Sequence, residues 1–264
     1  MAVEDHNGLL RLEGGGVFGE KAGHFIVMPM TELFDPPLGS ILHGKLQYSD
    51  KIMLPKSFIY EVLGRKLEPP WHFEITPLDD LYTGAPSPFL APSLAHWRRR
   101  HPVQALHASN FDFRAPENYI FMPDWMMLSL RLRPRDVVAM RFVRLPEGGL
   151  VSFQPHQAAF NKLANVHAVL EQELKYYSCV TQGTTIRFKH NGKEYALDVL
   201  ETLGPKDVKV DAIKIQDSDI RTDIRPSKEE EKIRRRKPAA GASGTTAKGE
   251  TTKREGIVKG RKET

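Results

Sequence analysis

One pattern occurs twice in the first half of the chain, and it limits what the chain can fold into. Residues 51–62 read KIMLPKSFIYEV and residues 119–130 read YIFMPDWMMLSL, with Pro55 and Pro123 68 positions apart. Each copy is a three-residue apolar run, a proline, two variable residues and further apolar positions. Ile52-Met53-Leu54 and Ile120-Phe121-Met122 predict short strands. A proline cannot donate to a strand ladder but suits the first turn of a helix, so the strand ends there and a helix begins. Phe58, Ile59 and Val62 share one face of that helix, as do Met126, Met127 and Leu130. A strand candidate follows each copy, Trp71 to Ile75 and Val137 to Val143. The unit is strand, short helix, strand, used twice. Two copies are too few for a solenoid. Two half-sheets that close into a pseudo-symmetric barrel remove their edges, which makes a barrel the better solution.

The rest of the chain is organised around that pair. Residues 1–22, with Gly14-Gly15-Gly16, read as a flexible N-terminus. From Phe25 the pattern is strand-like, and Pro36-Pro37 and Gly39 mark a loop. Between the copies, Pro77 to Pro116 is rich in Pro, Ala, Ser and His and reads as a surface insertion. Its middle, Leu94 to His101, predicts a short basic helix, and Arg98-Arg99-Arg100 there is either a contact for an acidic partner or a solvated loop. Glu147-Gly148-Gly149 reads as a turn and a domain boundary. Beyond it the pattern becomes helix then strands. Val166, Val169, Leu170 and Leu174 recur at helical spacing with Asn165 as the N-cap. Thr184 to Phe188 and Glu194 to Leu200 alternate like strands around Asn191-Gly192, a hairpin signal. Val208 to Ile215 supplies a further strand. The expected second unit is therefore 150–217, of α+β type. Residues 218–264 are expected to be a disordered basic tail, because the hydrophobic content collapses after Pro226.

Charge supports this division. The net charge is +5, but residues 226–264 carry 12 Lys and Arg against 6 Asp and Glu, leaving 26 against 27 for the other 225 residues. The basic balance belongs to the tail, and a near-neutral body is a poor grip for nucleic acid. A nucleic-acid role is thus an alternative resting on the tail alone, where Arg234-Arg235-Arg236-Lys237 reads as an RNA contact, a nuclear-import signal or a solvated run. No run of 18 apolar residues is present, so no membrane partner is expected. The start of the chain lacks an apolar signal region, and the one cysteine, Cys179, has no internal disulfide partner. The expected location is cytoplasmic, with the nucleus as a second site.

No constellation for chemistry stands out. Cys179 has no recognisable nucleophile signature around it and reads as a structural thiol. His96, His101, His156 and His167 lack a companion pattern for zinc, and Asp79-Asp80 reads as a solvated pair. Nucleotide and hydrolase motifs are missing, and Gly14-Gly15-Gly16 does not open a helix. The chain is expected to be no enzyme, with no catalytic, cofactor-binding or metal residue and no cofactor. An enzyme on a barrel fold is kept as a third reading, since fold alone does not decide function.

Four blocks carry a resemblance. KIMLPKSF followed by YIFMPDWMMLSL resembles the paired segments of the ubiquitin fusion degradation protein 1 family, through Met122, Pro123, Trp125, Met126 and Met127. LVSFQPHQAAF (Leu150 to Phe160), AVLEQELKYYSCVTQGTTI (Ala168 to Ile186) and KEYALDVLET (Lys193 to Thr202) resemble later blocks of the same family, in order. The resemblance implies a double-psi β-barrel at 23–149 followed by a small α/β roll at 150–217, mainly β with α+β. It implies an adaptor that binds ubiquitin or polyubiquitylated proteins, pairs with a subunit like nuclear protein localisation protein 4, and serves a valosin-containing-protein type of AAA+ ATPase in ubiquitin-dependent and ER-associated degradation. Two departures are visible. The insertion 77–116 is longer than the family loop. The family's Phe- and Gly-containing ATPase-docking box has no match, since no phenylalanine follows Phe188 and the nearest apolar pair is Ile257-Val258.

Overall fold

The computed structural model describes residues 2–4, 10–12, 22–78, 103–236 and 254–259. Two compact units are present, one of residues 1–145 with Tyr176–Cys179, the other of residues 146–175 with 180–264. The expected boundary at the Glu147-Gly148-Gly149 turn lies close to this division, and the short return of Tyr176–Cys179 to the first unit was not foreseen.

The first unit begins with a short antiparallel pair, β1 (Ala2–Glu4) with β2 (Leu10–Leu12), so the expected flexible N-terminus contains strands. The barrel follows. Its strands are β3 (Gly23–Pro29), β4 (Lys51–Pro55), β5 (His72–Pro77), β6 (Leu106–Ala115), β7 (Tyr119–Met122) and β8 (Val137–Val143). They close in the order β3-β7-β4-β6-β5-β8. Helix α1 (Ser57–Gly64) follows β4 and α2 (Asp124–Leu130) follows β7. The pseudo-symmetry is exposed by the pairings. β4 and β7, the two repeat strands, meet antiparallel at Met53 and Phe121. β3 runs parallel to β7, and β6 runs parallel to β4. β8 is antiparallel to β3, and β5 is antiparallel to β6. Exchanging β4 with β7, β3 with β6 and β5 with β8 reproduces every pairing. The repeat is therefore strand, strand, helix, strand, one element longer than the sequence pattern.

That extra element corrects the reading of Pro77 to Pro116 as an insertion. Its last quarter is β6, ten residues long and bonded on both edges inside the barrel. The predicted basic helix at Leu94 to His101 lies outside the described residues. The two prolines stand at the strand–helix junctions and not in the first turn: Pro55 ends β4, and Pro123 caps α2. Phe58 and Val62 of α1 and Met126, Met127 and Leu130 of α2 are buried as the spacing required, whereas Ile59, expected on the same face, is half-buried. Ile26, Ile52, Leu54, Phe73, Ile75, Ile120 and Met140 are fully sealed from solvent.

The second unit is an open mixed sheet of order β11-β12-β9-β14-β15. Its strands are β9 (Leu150–Pro155), β11 (Thr185–His190), β12 (Lys193–Leu203), β14 (Asp219–Ile224) and β15 (Arg254–Lys259). β10 (Cys179–Thr181) and β13 (Ala212–Lys214) pair separately. The Asn191-Gly192 turn joins β11 to β12 with both residues at positive φ, as the hairpin signal required. Helices α3 (Ala158–Asn161) and α4 (Val166–Leu174) pack on the sheet, and the Asn165 side chain accepts the Ala168 N–H at 3.0 Å. Phe160, Phe188 and Tyr195 form an aromatic core with centroids 5.6–6.0 Å apart.

The expected disordered tail at 218–264 is corrected over 218–236 and 254–259, and its remaining residues lie outside the described ones. β14 is an internal strand, parallel to β9 and antiparallel to β15. Helix α5 (Lys228–Arg236) follows it. Ser227 and Glu230 form a reciprocal cap, with Glu230 N–H bonding the Ser227 hydroxyl at 3.2 Å and Ser227 N–H bonding the Glu230 carboxylate at 2.8 Å.

Candidate functional site

The barrel unit displays apolar side chains where a self-contained domain would hide them. The segment from Thr31 to Lys45 leaves β3 and returns to β4 through a tethered loop. Asp35 ties its ends: both carboxylate oxygens accept the Gly44 N–H at 2.9 Å. The His43 Nδ1–H donates to the Pro36 carbonyl at 2.7 Å. Gly44 sits at φ +66°, where a side chain would be strained. Phe34 and Leu42 point inward and pack on a cluster of Met30, Leu46, Met53 and Ala115, and the Phe34 and Phe121 rings lie 4.7 Å apart. Gln47 clamps the base, donating to the Met30 carbonyl at 2.6 Å and accepting the Asp124 N–H at 3.0 Å.

With the loop so fixed, its remaining large apolar residues face solvent. Leu33 is 91% exposed, Leu38 86% and Ile41 57%. Single exposed apolar residues are ordinary, but three on one tethered loop are the composition of a contact surface. In the sequence this stretch reads only as a loop. The overlooked signal was three large aliphatic residues interleaved with Pro36, Pro37 and Gly39, without the periodicity that would bury them. The helices add Tyr60 and Leu63 on α1 and Leu128 on α2, also exposed. Tyr60 and Leu128 are equivalent under the 68-residue repeat.

The chemically richest cluster of the barrel unit is built for holding. Asp50 is buried, and its carboxylate accepts the N–H groups of Ser178 at 2.9 Å and Cys179 at 3.0 Å, with the Ser109 hydroxyl at 3.2 Å. The Lys51 ammonium donates to Ser109 and Ser178 and lies 3.9 Å from Asp50. Trp125 donates its indole N–H to the Ser49 carbonyl at 2.9 Å, and its ring lies 6.0 Å from that of Tyr177. Together these contacts fasten Tyr176–Cys179 to the barrel. The Cys179 thiol donates to Asp50 at 3.3 Å. Burial first, then the charge and hydrogen bond of Asp50, push this thiol well above its ordinary value, against a weaker pull from Lys51. A thiol held protonated is a poor nucleophile, so Cys179 is a structural donor.

The other flagged residues are dispersed. In the second unit His156 bonds Asp198 at 2.7 Å and sits 3.1 Å from the Lys228 ammonium, which also pairs with Asp198. Burial pushes the Asp198 carboxyl up, but the hydrogen bonds from Lys228, His156 and Thr185 outweigh it and hold it below its ordinary value. His167 bonds the Thr222 hydroxyl at 3.1 Å. Arg234, Arg235 and Arg236 are the last turn of α5, opposite in sign to its first-turn glutamates, an arrangement that suits the helix dipole. Among the described residues no group of three His, Cys, Asp or Glu is placed to hold a metal ion. His96, His101, Asp79 and Asp80 lie outside the described residues.

Two family models match in tandem. Residues 37–146 match the description "Ubiquitin fusion degradation protein UFD1, N-terminal subdomain 1", and residues 147–227 match "N-terminal subdomain 2" of the same protein. The human "Ubiquitin recognition factor in ER-associated degradation protein 1" is 32% identical over 119 residues, 45% of this chain and 39% of that protein. The "Ubiquitin fusion degradation protein 1" of Saccharomyces cerevisiae is 25% identical over 220 residues, 81% of this chain and 54% of that protein. The homologue from Dictyostelium discoideum is 27% identical over 183 residues, covering 69% and 47%. The chain thus spans about half or less of the length of these relatives.

Proposed function

The chain belongs to the ubiquitin fusion degradation protein 1 family, and on that premise we propose that it is a ubiquitin-binding adaptor that does no chemistry on its ligand. The observation that carries the reading is the tandem match of both subdomains, which falls in order on the two units of the fold. The tethered loop Thr31–Lys45 is the contact surface, with Leu33, Leu38 and Ile41 as its apolar anchors. Loops fixed by a rigid scaffold are where binding residues concentrate. The Asp50 cluster supports the non-enzymatic part, since its one thiol is buried and held protonated.

The wider role is that of a recruiting cofactor. The adaptor delivers ubiquitylated proteins to a valosin-containing-protein type of AAA+ ATPase, together with a subunit like nuclear protein localisation protein 4, in the cytoplasm and nucleus. The relatives' names, which include ubiquitin recognition in ER-associated degradation, support the part of this reading that concerns ubiquitin-linked degradation. Affinity capture from a lysate of the source cells tests it. The full chain should retain ubiquitin conjugates, and a chain with Leu38→Asp and Ile41→Asp should lose them. Capture of the ATPase by the full chain supports the cofactor role, and capture of conjugates without any ATPase restricts the chain to ubiquitin binding. The chain used for such work keeps residues 219–259, because β14, α5 and β15 lie there.

A further inference from the structure

The second unit has two sheet edges, and they are finished differently. β11 ends the sheet on one side with Arg187 and Lys189 exposed along it. Charged residues of this kind blunt an edge against further pairing. On the other side β14 carries the buried residues Ile220, Thr222, Asp223 and Ile224, and its outer row of backbone groups is covered by β15. β15 is remote: 17 residues separate Arg236 at the end of α5 from Arg254. It also lies beyond the family match, which stops at residue 227. The register is continuous over six pairs, from Asp219 opposite Lys259 to Ile224 opposite Arg254, with Ile220 opposite Val258 and Arg221 opposite Ile257.

A short strand delivered over a long connection is, in physical terms, a peptide ligand on a tether. Strand addition to an open edge takes its affinity from main-chain hydrogen bonds. A tether of this length supplies an effective concentration of about millimolar, enough to keep a weak strand seated. α5, which precedes the tether, buries none of its residues and is attached through polar contacts: Lys228 with Asp198, Glu229 with the Ala158 N–H, and Glu230 with Asn161. Among the described residues between β14 and β15, those of α5 insert no large side chain into the core.

We propose that the β14 edge is a binding site for an extended peptide and that Arg254–Lys259 is its intramolecular ligand, releasable and exchangeable for the same segment supplied in trans. The site is independent of the ubiquitin-binding reading and stands or falls separately from it. The cis segment guards an edge that would otherwise pair with other chains.

The test uses the full chain with a specific protease site placed between Ala239 and Lys248. The probe is a fluorescent peptide spanning residues 254–264. The uncut chain should take up little probe, and cutting should raise uptake at least about tenfold, because the tethered competitor becomes a dilute one. A second variant covers the case in which the cut fragment stays seated. Adjacent N–H groups on a strand point to opposite sides, so the double substitution Ile257→Pro and Val258→Pro removes at least one ladder donor. That uncut variant should bind the probe as the cut chain does, and amides of 219–224 should exchange faster in it than in the unsubstituted chain. Probe uptake by neither the cut chain nor the proline variant overturns the proposal. Equal uptake by the uncut unsubstituted chain overturns it as well.

Discussion

The two units solve the same problem, the disposal of sheet edges, in opposite ways. The barrel closes on itself through two copies of one four-element motif, so its pairings repeat and no edge remains. The second unit stays open, and its β14 edge is completed by a strand from far along the chain. Closure by repetition leaves a local trace, because each copy must encode its own strand, turn and helix. Completion by a distant segment leaves almost none, since pairing through the backbone asks little of the side chains. The comparison also separates the roles. The closed unit can carry an exposed apolar loop without risk to its sheet, whereas the open unit must first protect itself.

The sharpest way to break this comparison is to weaken the closed unit at its polar lock. Asp50→Ala leaves the N–H groups of Ser178 and Cys179 without their acceptor and the Lys51 charge without its counterpart. Loss of one partner from a buried charged pair costs about 3–5 kcal/mol. Denaturant unfolding followed by tryptophan fluorescence should show a loss of that size. A loss below ~1 kcal/mol would mean that Tyr176–Cys179 is not fastened as described.

Gly149→Ala probes the second unit. A Cβ at Gly149 would stand 2.6 Å from the Gly204 carbonyl oxygen, a backbone atom that cannot swing aside. The strain of overpacking is typically about 1–3 kcal/mol, and it should appear in the exchange rates of β9 and β12 before those of the barrel.

Replacing Leu33, Leu38 and Ile41 together with serine should leave stability within about 0.5 kcal/mol, as for other surface changes. Ubiquitin affinity should nonetheless fall by about tenfold or more, the size expected when interface anchors are truncated. Large destabilisation would show that the loop's exposed residues serve the fold.

The smallest effect is a pH response of α5. The carboxyls of Asp198 and Glu230 are both held below their ordinary values. Burial opposes this in each case, outweighed by Lys228, His156 and Thr185 for Asp198 and by Ser227, Asn161 and Lys162 for Glu230. A depressed carboxyl stabilises the docked helix above its ordinary value and loses that contribution as pH falls through the depressed one. Amide exchange in 228–236, corrected for intrinsic rates, should therefore be flat from about pH 7 to pH 5 and accelerate below about pH 4. Undocking that is already under way above about pH 5 would contradict the role given to these two carboxyls.

Sequence legibility follows the same division. The repeat strands, both repeat helices, the Asn165 cap and the Asn191-Gly192 hairpin were all readable, because each is encoded within a few residues. β6 was hidden by polar residues on its buried face. His107 and Ser109 belong to that strand, one beside Glu74 at 3.6 Å and the other bonded to Asp50 and Lys51; they alternate with Leu106 and Ala108, but Asn110 shifts the phase before Phe111 and Phe113, so no single apolar stripe runs along the strand. β14 was hidden likewise by Thr222 and the buried Asp223, whose carboxylate accepts from Ser152 and Arg225. α5 lacks an apolar face altogether; its one local signal was the Ser227-x-x-Glu230 spacing of a capping box. The contact loop was visible only as breakers, since exposure is a property of the folded surface.

The central claim, that ubiquitin is recognised by the tethered loop of the barrel unit, is tested most directly by titrating unlabelled ubiquitin into the isotope-labelled full chain and following every backbone amide. Saturable shifts should concentrate in Thr31–Lys45 and the neighbouring start of α2, and they should vanish in the Leu38→Asp, Ile41→Asp chain. Saturable shifts confined to the second unit, or none at millimolar ubiquitin, would contradict it.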